Sequence, residues 1–187
     1  MNVRLTFLLV AVVVLFGGTV LALKLTHQNK STADEPWLYR IDDGAIIHIR
    51  VTSTDQTVNY DKKPGSESWY IQSASGGPDV PVFLEKWSGT TLLLSGPKVN
   101  RKLADTIDNP AAYGLDPPQT SITVTERSGP TYEFHLGNTT PDGQNQYARL
   151  VGSPKLFTVP EVWARVINNL ATKPPYPPPP TAAPGSG

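Results

Sequence analysis

The stretch TSITVTERSGPTYEFHL, residues 120–136, decides the fold class. Two β-rich runs, Thr120–Glu126 and Thr131–Leu136, are separated by Arg127-Ser128-Gly129-Pro130, where Gly and Pro interrupt any regular element. In the second run Tyr132, Phe134 and Leu136 share one face, with Glu133 and His135 on the other. A period of two is that of a strand with one buried and one wet face. The stretch therefore reads as an antiparallel hairpin.

The same signals continue on both sides. Downstream, Pro141-Asp142-Gly143 is a turn, and Gln146–Val151 and Lys155–Thr158 form a second hairpin closed by Gly152-Ser153-Pro154. From Pro160 to about Leu170 the chain reads as a helix. Pro160 suits the first turn, and Val162, Val166, Ile167 and Leu170 make an apolar stripe with Trp163 on its flank. Upstream, Trp37–Ile41 opens with strand residues and Asp42-Asp43-Gly44 turns the chain. In Ala45–Val51, Ile47, Ile49 and Val51 alternate with Ile46, His48 and Arg50. Thr57–Asp61 returns, a Lys-Lys-Pro-Gly-Ser turn follows, and Ser68–Gln72 is a further strand. Val80 to about Leu94 begins as a helix through Val82, Phe83, Glu85, Lys86 and Trp87, weakened by Gly89-Thr90-Thr91.

Both halves run strands then helix, with Val80-Pro81 opening one helix and Val159-Pro160 the other, which suggests an internal duplication. The expected class is α+β: antiparallel hairpins with a helix packed on each of two similar strand-strand-strand-helix halves.

The ends are of different composition. Residues 1–24 are almost wholly apolar, and Leu5–Leu23 is a run of 19 residues with no charge. As a helix rising about 1.5 Å per residue it nearly spans a hydrocarbon core of about 30 Å. The expectation is a transmembrane anchor contacting the lipid bilayer through Leu5–Leu23, with the N-terminus cytoplasmic and the domain on the periplasmic or extracellular side. A cleavable signal peptide is the other reading, since Val20-Leu21-Ala22 offers small residues for cleavage, but 19 residues exceed the usual h-region. Residues 25–36 read as a polar stalk, 37–173 as the β-rich extracytoplasmic domain, and 174–187 as a Pro-rich disordered tail with polyproline II character.

Composition narrows the function classes. Sixteen basic residues balance sixteen acidic ones, so no cationic excess is available for a nucleic-acid backbone. Charged residues are 17%, below the usual quarter, so Ser, Thr, Asn and Gln carry much of the polar surface. There is no cysteine, which excludes disulfides, iron–sulfur clusters and thiolate zinc sites.

From residue 113 onward an ordered set of motifs stands out: Tyr113-Gly114-Leu115-Asp116-Pro117-Pro118, a strand pair around Gly129, Leu136-Gly137, Thr140-Pro141-Asp142-Gly143, Tyr147-Ala148-Arg149 and Val159-Pro160. This set resembles a bacterial family described as a domain of unknown function, DUF4340, over about Trp37 to Leu170. The resemblance implies a membrane-anchored, extracytoplasmic protein, in some cases encoded beside ABC-type transporters that resemble gliding-motility systems. It carries no established reaction and no catalytic residue, and members often contain further copies of the region. Physically, Gly114, Gly137 and Gly143 fit positions of positive φ, and Pro117 and Pro118 fix an extended lead into Thr120–Glu126. Tyr113, Asp116, Asp142, Tyr147 and Arg149 are the candidate interaction residues. Arg149, beside Tyr147, either binds an anionic group or pairs with Asp116 or Asp142 to pin the loop.

Other signals point to bland readings. Ser95-Gly96-Pro97-Lys98 has Ser-x-x-Lys spacing, but Gly-Pro blocks the helical turn that this chemistry needs. His27, His48 and His135 are scattered, one in the stalk and two on the polar faces of strands, so no metal or cofactor is expected. The expected function is a non-enzymatic accessory module presented to a membrane-protein complex, with no nucleic acid and no small-molecule substrate. The alternatives are an envelope glycan-binding domain using exposed aromatics and, further off, an envelope hydrolase.

Overall fold

The computed structural model describes residues 37–179. The expected anchor, the stalk and the last residues of the tail lie outside the described residues. Among the described residues no helix is long and apolar enough to cross a membrane.

Nine strands form one sheet: β1 (Ile46–Ser53), β2 (Gln56–Lys62), β3 (Trp69–Ile71), β4 (Val80–Pro81), β5 (Arg101–Ala104), β6 (Thr120–Glu126), β7 (Thr131–Thr139), β8 (Asn145–Leu150) and β9 (Leu156–Pro160). Among the described residues three α-helices accompany it: α1 (Leu84–Trp87), α2 (Thr90–Ser95) and α3 (Glu161–Thr172). Every pairing is antiparallel, so the class is α+β with the sheet dominant.

The strand order is β4-β3-β2-β1-β6-β7-β8-β9-β5, palindromic about the β1–β6 pair except for the added β5. Each half is a meander of four strands ending in Val-Pro and leading to a helix, and the two meanders fuse into one sheet rather than two. The β2–β3 and β7–β8 turns match closely. In both, Pro sits second, at Pro64 and Pro141, and the same two backbone bonds close the loop. Lys63 N–H donates to Ser68 O and Ser66 N–H to Lys63 O; Thr140 N–H donates to Asn145 O and Gly143 N–H to Thr140 O.

One face of the sheet is apolar and carries the helices. Ile49, Val51, Tyr60, Ile122, Val124, Phe134, Leu136, Ala148 and Val159 share a single buried cluster with Trp87, Leu94 and the inner side of α3. At about 25 cal/mol per Å² this burial is the main favourable term in folding. Tyr60, Trp69 and Trp87 form its aromatic centre, with ring centroids 4.8 Å apart for Tyr60–Trp87 and 5.2 Å for Trp69–Trp87.

Several expectations are corrected. The buried stripe of α3 is Ala164, Ile167, Leu170 and Ala171, whereas Val162 and Val166 are 65% and 40% exposed. The alanines let the helix approach the sheet closely, and at about 100° per residue this turns both valines outward. Ile46, read on the side of His48, is buried with Ile49, because the β1–β6 register shifts between Ile46 and His48. The helix expected from Val80 begins at Leu84 and is cut into α1 and α2 by Gly89, whose φ of 82° is left-handed. Trp37–Ile41 is not a strand: Trp37 makes one bridge to Lys98, and Leu38 and Ile41 donate backbone bonds to Pro97 and Ser95. The fold continues past Lys173, since Pro175 is buried and its carbonyl accepts the Phe83 N–H at 2.8 Å.

Candidate functional site

Alternation along β8 assigns the faces. Gln146 and Ala148 are buried toward α3, where Asn168 Nδ2 donates to Gln146 Oε1, so Tyr147 and Arg149 point to the opposite, distal face. Over this end of the distal face runs a loop built from the 3-10 turn Pro110–Tyr113, closed by Gly114 N–H to Ala111 O and Leu115 N–H to Pro110 O. It seats Leu115, fully buried yet outside the main cluster, and sets the Tyr113 ring edge-on to Tyr147 at 5.0 Å.

The loop can lie so close because β7 lacks a side chain beneath it. A Cβ on Gly137 would overlap the Tyr113 carbonyl oxygen and come within 3.1 Å of the Gly114 backbone. Gly114 and Gly143 do have positive φ, 67° and 72°, as their sequence reading requires, but Gly137 is glycine for proximity rather than for φ. Pro117 and Pro118 do not form an extended lead: the Asp116–Pro117 peptide is cis, and Leu115 and Pro118 form a bridge.

Beside this loop lies a cleft of about 520 Å³. Tyr147 of β8 and Thr158 of β9 line it, with Arg101 and Leu103 of β5 on one side and Thr140, Pro141, Asp142 and Gln144 of the β7–β8 turn on the other. The end strand is held by a bond from Asn100 Nδ2 to Asn145 Oδ1 at 2.9 Å. Asp142 accepts from the Thr140 hydroxyl at 2.5 Å and the Gln144 N–H at 3.1 Å. The Thr140 hydrogen bond, then the Gln144 N–H, hold its carboxyl below the ordinary range.

The expected residues are thus partly gathered. Tyr113 and Tyr147 meet, Asp142 stands on the rim, and Asp116 lies apart in its exposed turn. Arg149 pairs with neither Asp116 nor Asp142. Its Nε donates to His135 Nδ1 at 3.2 Å, because cross-strand register sets Arg149 opposite His135.

That contact belongs to a polar cluster that reading residue by residue passed over. Ser121 and His135 Nε2 both reach Glu133 Oε1, at 3.0 and 2.9 Å. Since the Arg149 Nε–H needs an acceptor, Nδ1 of His135 accepts and Nε2 carries the hydrogen shared with Glu133. Ser121, Glu133 and His135 do not form a nucleophile triad. The serine bonds the carboxylate rather than the imidazole, and the remaining imidazole nitrogen is occupied by Arg149. The signal was available in the register of residues 120–136, which sets Ser121 opposite His135. His48 belongs elsewhere, with Nδ1 2.6 Å from Asp61 Oδ1, so the two strand histidines do not meet. Ser95 Oγ donates to Leu92 O and ends α2. Among the described residues no group of His, Cys, Asp or Glu could hold a metal ion.

Glu133 supplies a prediction. The His135 hydrogen bond lowers its carboxyl below the ordinary range; burial opposes it, and the Ser121 hydrogen bond and the nearby His135 and Arg149 add to the lowering. A carboxyl depressed in the folded state stabilises above its unfolded pKa, and that contribution fades as pH falls through its folded pKa. Stability measured by urea unfolding should therefore decline below roughly pH 4.5, and Glu133→Gln should remove part of that decline. An unaltered acid limb in the variant would show that Glu133 is not among the groups responsible.

Fold and site together define a small α+β domain: one antiparallel sheet of two fused meanders, helices on one face, and an open hydrogen-bonding cleft on the other. The chain belongs to the family described as Domain of unknown function (DUF4340), whose model matches residues 69–173, from the start of β3 to just past the end of α3. The match begins at Trp69 rather than at Trp37. No curated protein and no solved structure matches the chain.

Proposed function

We propose that this chain is a membrane-tethered, extracytoplasmic accessory module that holds a partner through the β5–β9–β8 cleft without doing chemistry on it. The observation that carries the reading is the make-up of that cleft: a tyrosine and a threonine line it, and Asn100, Arg101, Thr140, Gln144 and Asn145 supply hydrogen-bonding groups. Such a set suits recognition by hydrogen bonds and aromatic contact. Its carboxylate, Asp142, is engaged by Thr140 and Gln144 and held toward the ionised form, the reverse of the raised pKa that a general acid needs. The tether is argued from the 19 uncharged residues Leu5–Leu23, and a transporter-like membrane complex is the partner suggested by the family resemblance.

The test is affinity purification of the full-length chain from solubilised membranes. A stoichiometric partner should be recovered, and Tyr147→Ala with Arg101→Ala should reduce its recovery about tenfold, as expected for an aromatic and an arginine anchor. Recovery of the chain alone would remove the proposal. The aromatic lining among amides and hydroxyls also favours a second reading, a glycan-binding domain of the envelope. Retention on isolated envelope polymer, lost in Tyr147→Ala, together with an empty affinity purification, would select that reading.

A further inference from the structure

The β2–β3 turn, counterpart of the turn beside the first cleft, borders a cleft of its own of about 530 Å³. Its charge is different. Lys62, Lys63 and Arg127 line it against the lone carboxylate of Glu67, a local excess of two positive charges on a chain whose formal charge is zero. The Lys62 side chain is only 5% exposed, and its Nζ pairs with Glu67, which is 88% exposed at the tip of the turn. A buried ammonium requires a partner, whereas a carboxylate in open solvent is readily exchanged for a better one. Lys63 Nζ sits 3.9 Å from the centre of the Tyr70 ring, and among the described residues no carboxylate pairs with it. Arg127 lies close enough to Glu67 to act on its carboxyl electrostatically, so the three cations converge on one region. Ser66 lines the same cleft, and its Oγ accepts the Ser68 N–H at 2.9 Å, leaving the hydroxyl hydrogen to donate.

We propose that this cleft is an anion site for a phosphate-class group, with Lys62, Lys63, Arg127 and the Ser66 hydroxyl as its donors and Glu67 as the stand-in that the ligand displaces. A dianion would face three cations once Glu67 is displaced, and a tetrahedral phosphate has four oxygens to share among the donors. Free phosphates present this group in full, and phospholipid headgroups present it as a phosphodiester with one charge and two free oxygens.

The test titrates the full-length chain, in a zwitterionic detergent at low ionic strength, with inorganic phosphate and pyrophosphate and then with short-chain phosphatidylglycerol and phosphatidylcholine, by calorimetry. Saturable binding of the phosphates or of phosphatidylglycerol is expected, weakened about tenfold by Lys63→Gln and by Arg127→Gln and strengthened by Glu67→Gln. Lys86→Gln, in a different groove, should leave it unchanged. Tighter binding of phosphatidylglycerol than of phosphate, with the same response to the variants, assigns a headgroup; the reverse order assigns a soluble phosphate. The variants alter exposed or partly exposed ends rather than the core, and an unchanged thermal midpoint without ligand verifies that they fold. No saturable heat with any probe, or equal binding by the Lys63→Gln, Arg127→Gln double variant, overturns the proposal.

Discussion

Gly137→Ala is expected to destabilise the chain by about 3 kcal/mol or more, a large share of the roughly 5–15 kcal/mol that a domain possesses. The added methyl would overlap the carbonyl oxygen of Tyr113 and press on the Gly114 backbone. Both neighbours are main chain, so neither can swing aside as the end of a flexible side chain would. The loop from Pro110 to Leu115 must lift off β7, which withdraws the buried Leu115 and separates Tyr113 from Tyr147. Gly143→Ala is the control. Its φ of 72° disfavours any side chain, but nothing lies within 4 Å of the new methyl, so about 1 kcal/mol is expected. Urea unfolding of the two variants should separate them by about 2 kcal/mol. If Gly137→Ala unfolds within 1 kcal/mol of Gly143→Ala, the loop is not seated on the strand as described, and the Tyr113 contact that holds Tyr147 at the cleft is lost with it.

How far such a contact can be read in advance depends on whether its cause is local. The hairpins were legible because alternation at Tyr132, Phe134 and Leu136 is written into adjacent residues, and Pro64 and Pro141 mark their turns. Strand β5 was not, since Arg101–Ala104 is exposed at nearly every position and pairs at one side only, which leaves no period to detect. The face of α3 was misread because large apolar residues outweigh alanine in a pattern, whereas the close helix–sheet contact runs through Ala164 and Ala171. In the site, Tyr113, Asp142 and Tyr147 were marked by their place in an ordered motif. That Tyr113 touches Tyr147 follows only from the loop crossing at Gly137. The partner of Arg149 required cross-strand register: side chains two strands apart in sequence, Ser121, His135 and Arg149, form one row across β6, β7 and β8.

Tyr60 and Tyr39 should respond in opposite directions to loss of a single oxygen. Both phenols are buried, and burial pushes the pKa of each up. Tyr60 donates to the Leu170 carbonyl at 2.5 Å, whereas the Tyr39 hydroxyl is buried with no hydrogen-bond partner among the described residues. The Leu170 bond has a reason in the sequence. A helical carbonyl is normally met by the N–H four residues on, and that position is Pro174, which has none. Tyr60, reaching across from β2, supplies the missing donor and fastens the end of α3 to the sheet. Tyr60→Phe therefore leaves a carbonyl unmet and should destabilise by about 1–3 kcal/mol, while Tyr60→Ala, which also empties the centre of the aromatic cluster, should lose about 3–5 kcal/mol. Tyr39→Phe keeps the ring stacked on Tyr132 at 4.8 Å and removes only the unpaired hydroxyl, so stability should hold or rise by about 1 kcal/mol. Chemical denaturation of the three variants measures all of this on one scale. Equal losses in Tyr60→Phe and Tyr39→Phe would mean that the phenol–carbonyl bond does not hold α3, and the account of how the helix ends at Pro174 would have to be abandoned.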